Sequence, residues 1–247
     1  MRSEETSPLP AFDPSPARKT LEANLERVRG RIAAAARRAG RSPGDIRLVA
    51  VTKTVSAEVA RLLVDLGQEE LGESRVPVLE AKVARLGSDP PVWHFIGPLQ
   101  RNKARKCVRH ARYIHSVESE RLLLHLDRVA GEEGVRPAVF LEVNLSGEET
   151  KHGVSPEGFG RLLDMAREAR NLELLGLMTI APFTDDMDLV RRVFAGLRNL
   201  QSEYCPDLPH LSMGMSHDLE IAVEEGATFV RVGTALFEGL RLFGGDT

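Results

Sequence analysis

Short apolar runs alternate along this chain with stretches in which apolar positions recur every three or four residues. The runs, rich in Val, Ile, Leu and Phe, fall near 46–53, 69–72, 92–96, 112–117, 137–145, 172–180, 209–213 and 228–232. Their aliphatic and β-branched content is that of parallel strands buried on both faces. Helical patterns lie between them over 56–66, 75–86, 119–130, 155–169, 187–201 and 217–225. This alternation predicts an α/β fold, and about eight strands predict a single (β/α)8 TIM barrel; a doubly wound open sheet is the alternative. Ahead of the first strand, Leu21, Leu25, Val28 and Ile32 recur at helical spacing and Gly40 stands where a C-cap would, so an additional N-terminal helix is expected over 17–39. The Pro- and Ser-rich residues 1–16 read as a disordered leader, leaving 17–247 as one barrel domain.

Composition agrees with that picture. The 247 residues are 42% hydrophobic and 28% charged with a net charge of −3, which gives no bulk attraction for nucleic acid. No apolar stretch approaches the roughly 18 residues of a membrane span, and the residues after Met1 lack the apolar core of a signal peptide, so the expected location is the cytoplasm. Cys107 and Cys205 lie far apart without a CxxC spacing and imply neither a disulfide framework nor a zinc site.

Three segments carry candidate chemistry. Lys53 closes the first apolar run just before a helix opens at Ser56, and strand C-termini are where α/β barrels place their chemistry. An amine there can form a Schiff base if burial or a neighbouring cation lowers its pKa; a lysine reaching to solvent is the plainer reading of that segment alone. Ser212, Gly214 and Ser216 share a strand-to-helix turn that can offer hydroxyls and backbone N–H groups to an anion, although Ser216 would also serve as a routine N-cap. Gly233 and Thr234 repeat the arrangement one unit later, and the turns after strands 7 and 8 often hold phosphate in such barrels. Arg231, inside the last strand, needs a partner if it points inward, and could donate to a ligand ring nitrogen while keeping its own proton.

A strand-end lysine, a Ser/Gly/Thr phosphate cradle and an inward arginine are the parts of a pyridoxal phosphate (PLP) site. With them stand Leu48–Val49–Ala50–Val51–Thr52–Lys53, Leu71–Gly72–Glu73, the run from Trp93 to Lys103 (WHFIGPLQRNK), Val143–Asn144, Gly176–Leu177–Met178–Thr179–Ile180, Leu211–Ser212–Met213–Gly214–Met215–Ser216 and Val230–Arg231–Val232–Gly233–Thr234–Ala235–Leu236–Phe237. On these blocks the chain, from Leu21 to Gly239, resembles the pyridoxal phosphate homeostasis proteins. The resemblance implies a barrel of alanine racemase N-terminal-domain type, with PLP linked to Lys53, its phosphate near Ser216, Gly233 and Thr234, and Arg231 beside the pyridine nitrogen. It places His94 and Met178 at strand ends facing the mouth, where each is a candidate ring contact or an ordinary core residue. Lys103 and Lys151 match family lysines and are candidate second aldehyde acceptors or plain solvated lysines. It also implies a carrier, monomeric or weakly dimeric, that buffers PLP or delivers it to PLP-dependent apoenzymes without catalysis of its own.

Two departures from the family pattern stand out. Ser74 replaces an asparagine that would reach toward the cofactor, with Pro77 following in a helix's first turn. Glu238 brings a negative charge beyond the last phosphate turn, which would weaken phosphate binding if it pointed inward. An amino-acid racemase or decarboxylase using the same cofactor is the main alternative function, and a sugar-phosphate barrel enzyme a third. Racemisation needs an acid/base group on each face of the substrate adduct, and this chain has only two tyrosines, Tyr113 and Tyr204, to supply the second.

Overall fold

All eight apolar runs become strands in the computed structural model, which describes residues 14–87, 90–146 and 152–240. They are β1 (Arg47–Val51), β2 (Glu70–Glu73), β3 (Val92–Phe95), β4 (Tyr113–Val117), β5 (Ala138–Glu142), β6 (Glu173–Met178), β7 (His210–Ser212) and β8 (Phe229–Val232). Every neighbouring pair is parallel and the sheet closes in sequence order into a barrel. Closure is made by β1 on β8, with Leu48 opposite Val230 and Ala50 opposite Val232.

A helix follows each of the first seven strands: α2 (Ala57–Asp65), α3 (Val76–Leu86), α4 (Ala104–Val108), α5 (Glu120–Glu133), α6 (Pro156–Glu168), α7 (Met187–Tyr204) and α8 (Leu219–Glu224). Side-chain caps start several of them: Ser56, Ser119, Ser155 and Asp186 accept from the N–H groups of Val59, Leu122, Gly158 and Leu189. The helices turn apolar stripes inward, as with Leu122, Leu123, Leu126 and Val129 of α5, and the main core lies between the strands and the helical ring. Inside the barrel, Val49, Phe140, Met178 and Phe229 form a second cluster with Tyr113 and Leu175 against it. None of the described helices is long and apolar enough to cross a membrane.

Three features differ from the sequence reading. The N-terminal helix α1 (Pro14–Arg38) starts three residues early, because prolines in a first turn lack only a donor that would be unpaired there. Residues 1–13 of the expected leader lie outside the described residues. Between β3 and β4 a 3₁₀ turn (Arg101–Lys103) runs into the five-residue α4, which a sequence so rich in arginine and lysine concealed. Among the described residues no helix follows β8, and α1 packs against both α8 and α2, filling the place in the ring where that helix would lie.

Candidate functional site

The C-terminal ends of β1, β8 and β7 bring three of the expected segments onto one rim. Lys53 lies two residues past the end of β1 and is exposed. The residue before it is fixed from several sides. Thr52 is fully buried, its N–H donates to Gly72 O (2.9 Å) and its hydroxyl to Glu73 Oε1 (2.8 Å). Lys82 Nζ donates to Thr52 O (2.6 Å) and also bonds Glu73 Oε1. Burial lowers the Lys82 pKa and the Glu73 carboxylate opposes that shift. The second oxygen of Glu73 has no partner among the described residues. Lys82 and Glu73 therefore anchor the strand end that presents Lys53. Lys82 escaped the sequence reading, although a lysine on the Val76, Leu79, Leu86 stripe of α3 was the available signal.

One strand away, the turn after β8 passes Gly233, where an added Cβ would come within 3.3 Å of Val51 O. The turn after β7 depends on Gly214, whose φ is 92° and where an added Cβ would lie 2.4 Å from Ala222 Cβ. The two turns are tied together, for Ser216 Oγ accepts from Ala235 N–H (3.2 Å). Ser216 is thus no N-cap: α8 begins at Leu219, and Asp218 instead accepts from Met215 N–H (2.5 Å). The backbone N–H groups of Ser216, His217, Gly233 and Thr234 have no partner among the described residues. Unpartnered backbone donors on adjoining turns suit an anion.

Arg231 is 4% exposed and points inward, donating to Ser212 Oγ and to Thr179 O (3.1 Å). Burial pushes its pKa down to about 10, against the pull of Glu142 and Asp218, so it stays a cation at neutral pH. Ser212 is fully buried behind it and lies 2.7 Å from His115 Nδ1, so this serine holds the arginine. His115 Nε2 is in turn 3.0 Å from His94 Nδ1. Both imidazoles are held well below their usual pKa, chiefly by burial, and both are neutral.

His94 and Met178 do not face the mouth. His94 is fully buried and stacks on Tyr113, which starts β4 beside Arg47 at the start of β1, so it belongs to the lower interior. Met178 ends β6 but is 1% exposed and packs with Val49, Phe140 and Phe229. The tilt of barrel strands puts residues at similar distances from their strand ends at different depths, which sequence position does not reveal.

Ser74 is half-buried, and Gly97 approaches it so closely that a Cβ there would lie 2.3 Å from Ser74 O. Glu238 points away from the turns, pairing with Arg27 on α1 (2.6 Å). Lys103 is half-buried in the 3₁₀ turn, and Lys151 lies outside the described residues. Sequence reading also missed Glu142 at the end of β5, 5% exposed, its pKa pushed up to about 7 by burial and by Glu118.

Comparison with known proteins bears on this geometry. The family model described as alanine racemase, N-terminal domain, matches residues 23–240. The chain is 43% identical over 217 residues to the pyridoxal phosphate homeostasis protein of Aquifex aeolicus, covering 86% of this chain and 95% of that one. Its identity to the protein of the same name from Pseudomonas aeruginosa is 41% over 227 residues, 91% of this chain and 97% of the relative. Among solved structures, PipY of Synechococcus elongatus with PLP bound superposes with a TM-score of 0.77 at 37% identity, covering 88% of this chain and 99% of PipY.

Proposed function

The chain belongs to the pyridoxal phosphate homeostasis protein family, and from that premise we propose that it holds PLP as a Schiff base on Lys53 and buffers it or passes it to PLP-dependent apoenzymes in the cytoplasm. Residues 17–247 act as one cofactor-binding domain in this reading. The observation that carries it is the pairing of β1 with β8, which sets the exposed amine of Lys53 one strand from the unpartnered N–H groups of Gly233 and Thr234. Those groups, with Ser216, fit a phosphate dianion that neutral donors can hold without a lysine.

When bound, the cofactor supplies an aldehyde carbon that an amine attacks. Lys53 supplies the amine from a strand end fixed by Thr52, Glu73 and Lys82. Because Lys53 is exposed, the site would stay open to an incoming amine that takes over the cofactor and frees the Lys53 amine, as delivery to a recipient requires. Arg231 supplies a charged donor beneath the mouth and cannot pass a proton to a ring nitrogen, which leaves that nitrogen unprotonated and a poor electron sink. Ser212 acts on the cofactor through Arg231, and Ser74, half-buried one residue past the end of β2, is assigned to the same site.

Among the described residues, neither tyrosine is placed to serve as the second base of a racemase. Tyr113 sits low in the barrel interior, bonded to Arg47 (2.9 Å), and Tyr204 packs on Phe159 at the end of α7. Relatives of similar length are named as homeostasis proteins. We assign no turnover, and a monomer or weak homodimer suffices for the role.

Borohydride reduction of the PLP-loaded protein followed by peptide mapping tests the assignment. The phosphopyridoxyl group is expected on Lys53 and absent from Lys53→Ala. Recovery chiefly on Lys103 or Lys151 would overturn it.

A further inference from the structure

Both turns assigned to phosphate are gripped from behind by α1. Asn24, 6% exposed in the apolar stripe of Leu21, Leu25 and Val28, donates one amide hydrogen to Leu236 O (2.9 Å) and the other to Glu238 O (2.8 Å). Its own oxygen accepts from Arg27 Nη2 (3.0 Å), which also lies 3.3 Å from Ala235 O. One turn of α1 onward, Arg31 Nη2 donates to Ser216 O (3.0 Å) while its guanidinium grips Glu220 through two bonds of 2.6 and 2.8 Å. Three side chains on one helix thus hold four carbonyls: one in the turn after β7 and three in the turn after β8.

Of these four carbonyls, Ser216 O belongs to a peptide that carries an unpartnered N–H, and holding it fixes where that N–H points. In a trans peptide the C=O and the following N–H point in opposite directions. Arg31 on Ser216 O therefore turns the unpartnered N–H of His217 away from α1. The same turn is stitched to its neighbour by Ser216 Oγ and Ala235 N–H, so a displacement of either reaches the other. Charge is not the contribution, since Arg27 is neutralised by Glu238 and Arg31 by Glu220. What α1 offers is fixed position, and a preorganised set of donors binds an anion without ordering cost.

We propose that α1 is part of the phosphate-binding device: Asn24, Arg27 and Arg31 are positioning residues that hold the two turns and so set the preference for the phosphorylated aldehyde PLP over unphosphorylated pyridoxal. This rests on the phosphate assignment made above for Ser216, Gly233 and Thr234. It also accounts for a helix from the N-terminal end of the chain filling the ring position beside β8.

The test titrates PLP and pyridoxal separately into wild type, Asn24→Ala, Arg31→Met and the control Arg38→Met, with thermal unfolding recorded for each. Arg38 lies on the same helix but pairs with Glu224, away from the turns. Asn24→Ala and Arg31→Met are expected to lower the PLP-to-pyridoxal affinity ratio by about tenfold through lost PLP affinity, with pyridoxal binding and the Arg38→Met ratio unchanged. Should Asn24→Ala not fold, Arg31→Met decides alone, because its side chain is partly solvent-exposed. An unchanged ratio, or equal loss for both ligands, overturns the proposal. Ser216→Ala and Thr234→Val separate the two levels. If these lower the ratio while the α1 variants do not, the bracing role alone fails; if neither pair lowers it, the phosphate assignment fails and the bracing role with it.

Discussion

His94 Nδ1 and His115 Nε2 lie 3.0 Å apart in the barrel interior, and that contact orders the protons of four side chains. Arg231 can only donate, so Ser212 Oγ accepts from it and has one proton left to give. If that proton goes to His115 Nδ1, His115 carries its own on Nε2 and donates to His94. His94 then carries a proton on Nε2, which faces Glu70 Oε2 at 3.8 Å. The reverse order would set a lone pair of His94 against the Glu70 carboxylate. Polarity thus runs one way, from the mouth at Arg231 to the Arg47–Glu70 pair at the start of β1 and β2.

Replacing His115 with phenylalanine keeps a ring stacked beside Phe140 but removes both nitrogens. Ser212 and His94 are each left with a buried group unpaired, at roughly 1–3 kcal/mol apiece. His115→Phe is expected to lower unfolding free energy by about 2–6 kcal/mol in urea titration and to weaken PLP binding as the Arg231 fork loosens. A loss under about 1 kcal/mol would show that the chain of bonds contributes little.

The buried titratable groups predict how stability depends on pH. Native His94 and His115 stay neutral below 6.5, where the unfolded chain takes up a proton at each, so stability falls as pH drops below 6.5. Glu142 acts oppositely: with its native pKa near 7 against 4.5, it keeps a proton between those values that the unfolded chain loses. As pH falls below 6.5, two protons oppose one, giving a net decline on the order of 1.4 kcal/mol per pH unit. Glu142→Gln is expected to steepen that decline and to raise stability above pH 7. Chemical denaturation at pH 5, 6 and 8 checks both, and an unaltered slope in the variant would remove Glu142 from the account.

Most of the barrel was legible because parallel strands buried on both faces leave continuous apolar runs, and every one of the eight survived. The rim segments at Lys53, Ser216 and Gly233–Thr234 were legible for the same reason, since strand ends locate them. Partners across the barrel were not: nothing local to Arg231 names Ser212 or Thr179, and nothing in Ile114–His115–Ser116 names His94. Depth is also hidden, which is why the sequence leaves His94 and Met178 open as either ring contacts at the mouth or ordinary core residues. Asn24 and Lys82 left a faint trace as polar residues on apolar helical stripes, a trace that gains meaning only once the opposite surface is known.

Lys82→Met strands the Glu73 carboxylate in a fully buried position beside Thr52. Breaking one side of a buried ion pair costs about 3–5 kcal/mol, far more than an exposed pair would. The variant is expected to lose that much in denaturant titration, and the double change with Glu73→Gln to recover a substantial part. No recovery in the double variant would mean that Lys82 acts through Thr52 O alone.

The absence of turnover is the prediction that most directly separates a carrier from the racemases that share its fold. Racemisation needs a proton removed on one face of the bound amino acid and returned on the other. Lys53 can serve one face, but Tyr113 lies low in the interior and Tyr204 at the far end of α7. In the proposed site Arg231, still a cation with its pKa near 10, would leave a ring nitrogen beside it unprotonated and so limit carbanion stabilisation. Incubating loaded protein with a panel of L-amino acids in deuterated water, and following α-proton exchange and chirality, measures this. Release of PLP to the added amine is expected without accumulating D-isomer or amine product. Sustained racemisation or decarboxylation that disappears in Lys53→Ala would make the protein an enzyme, with its second acid or base on a group other than either tyrosine.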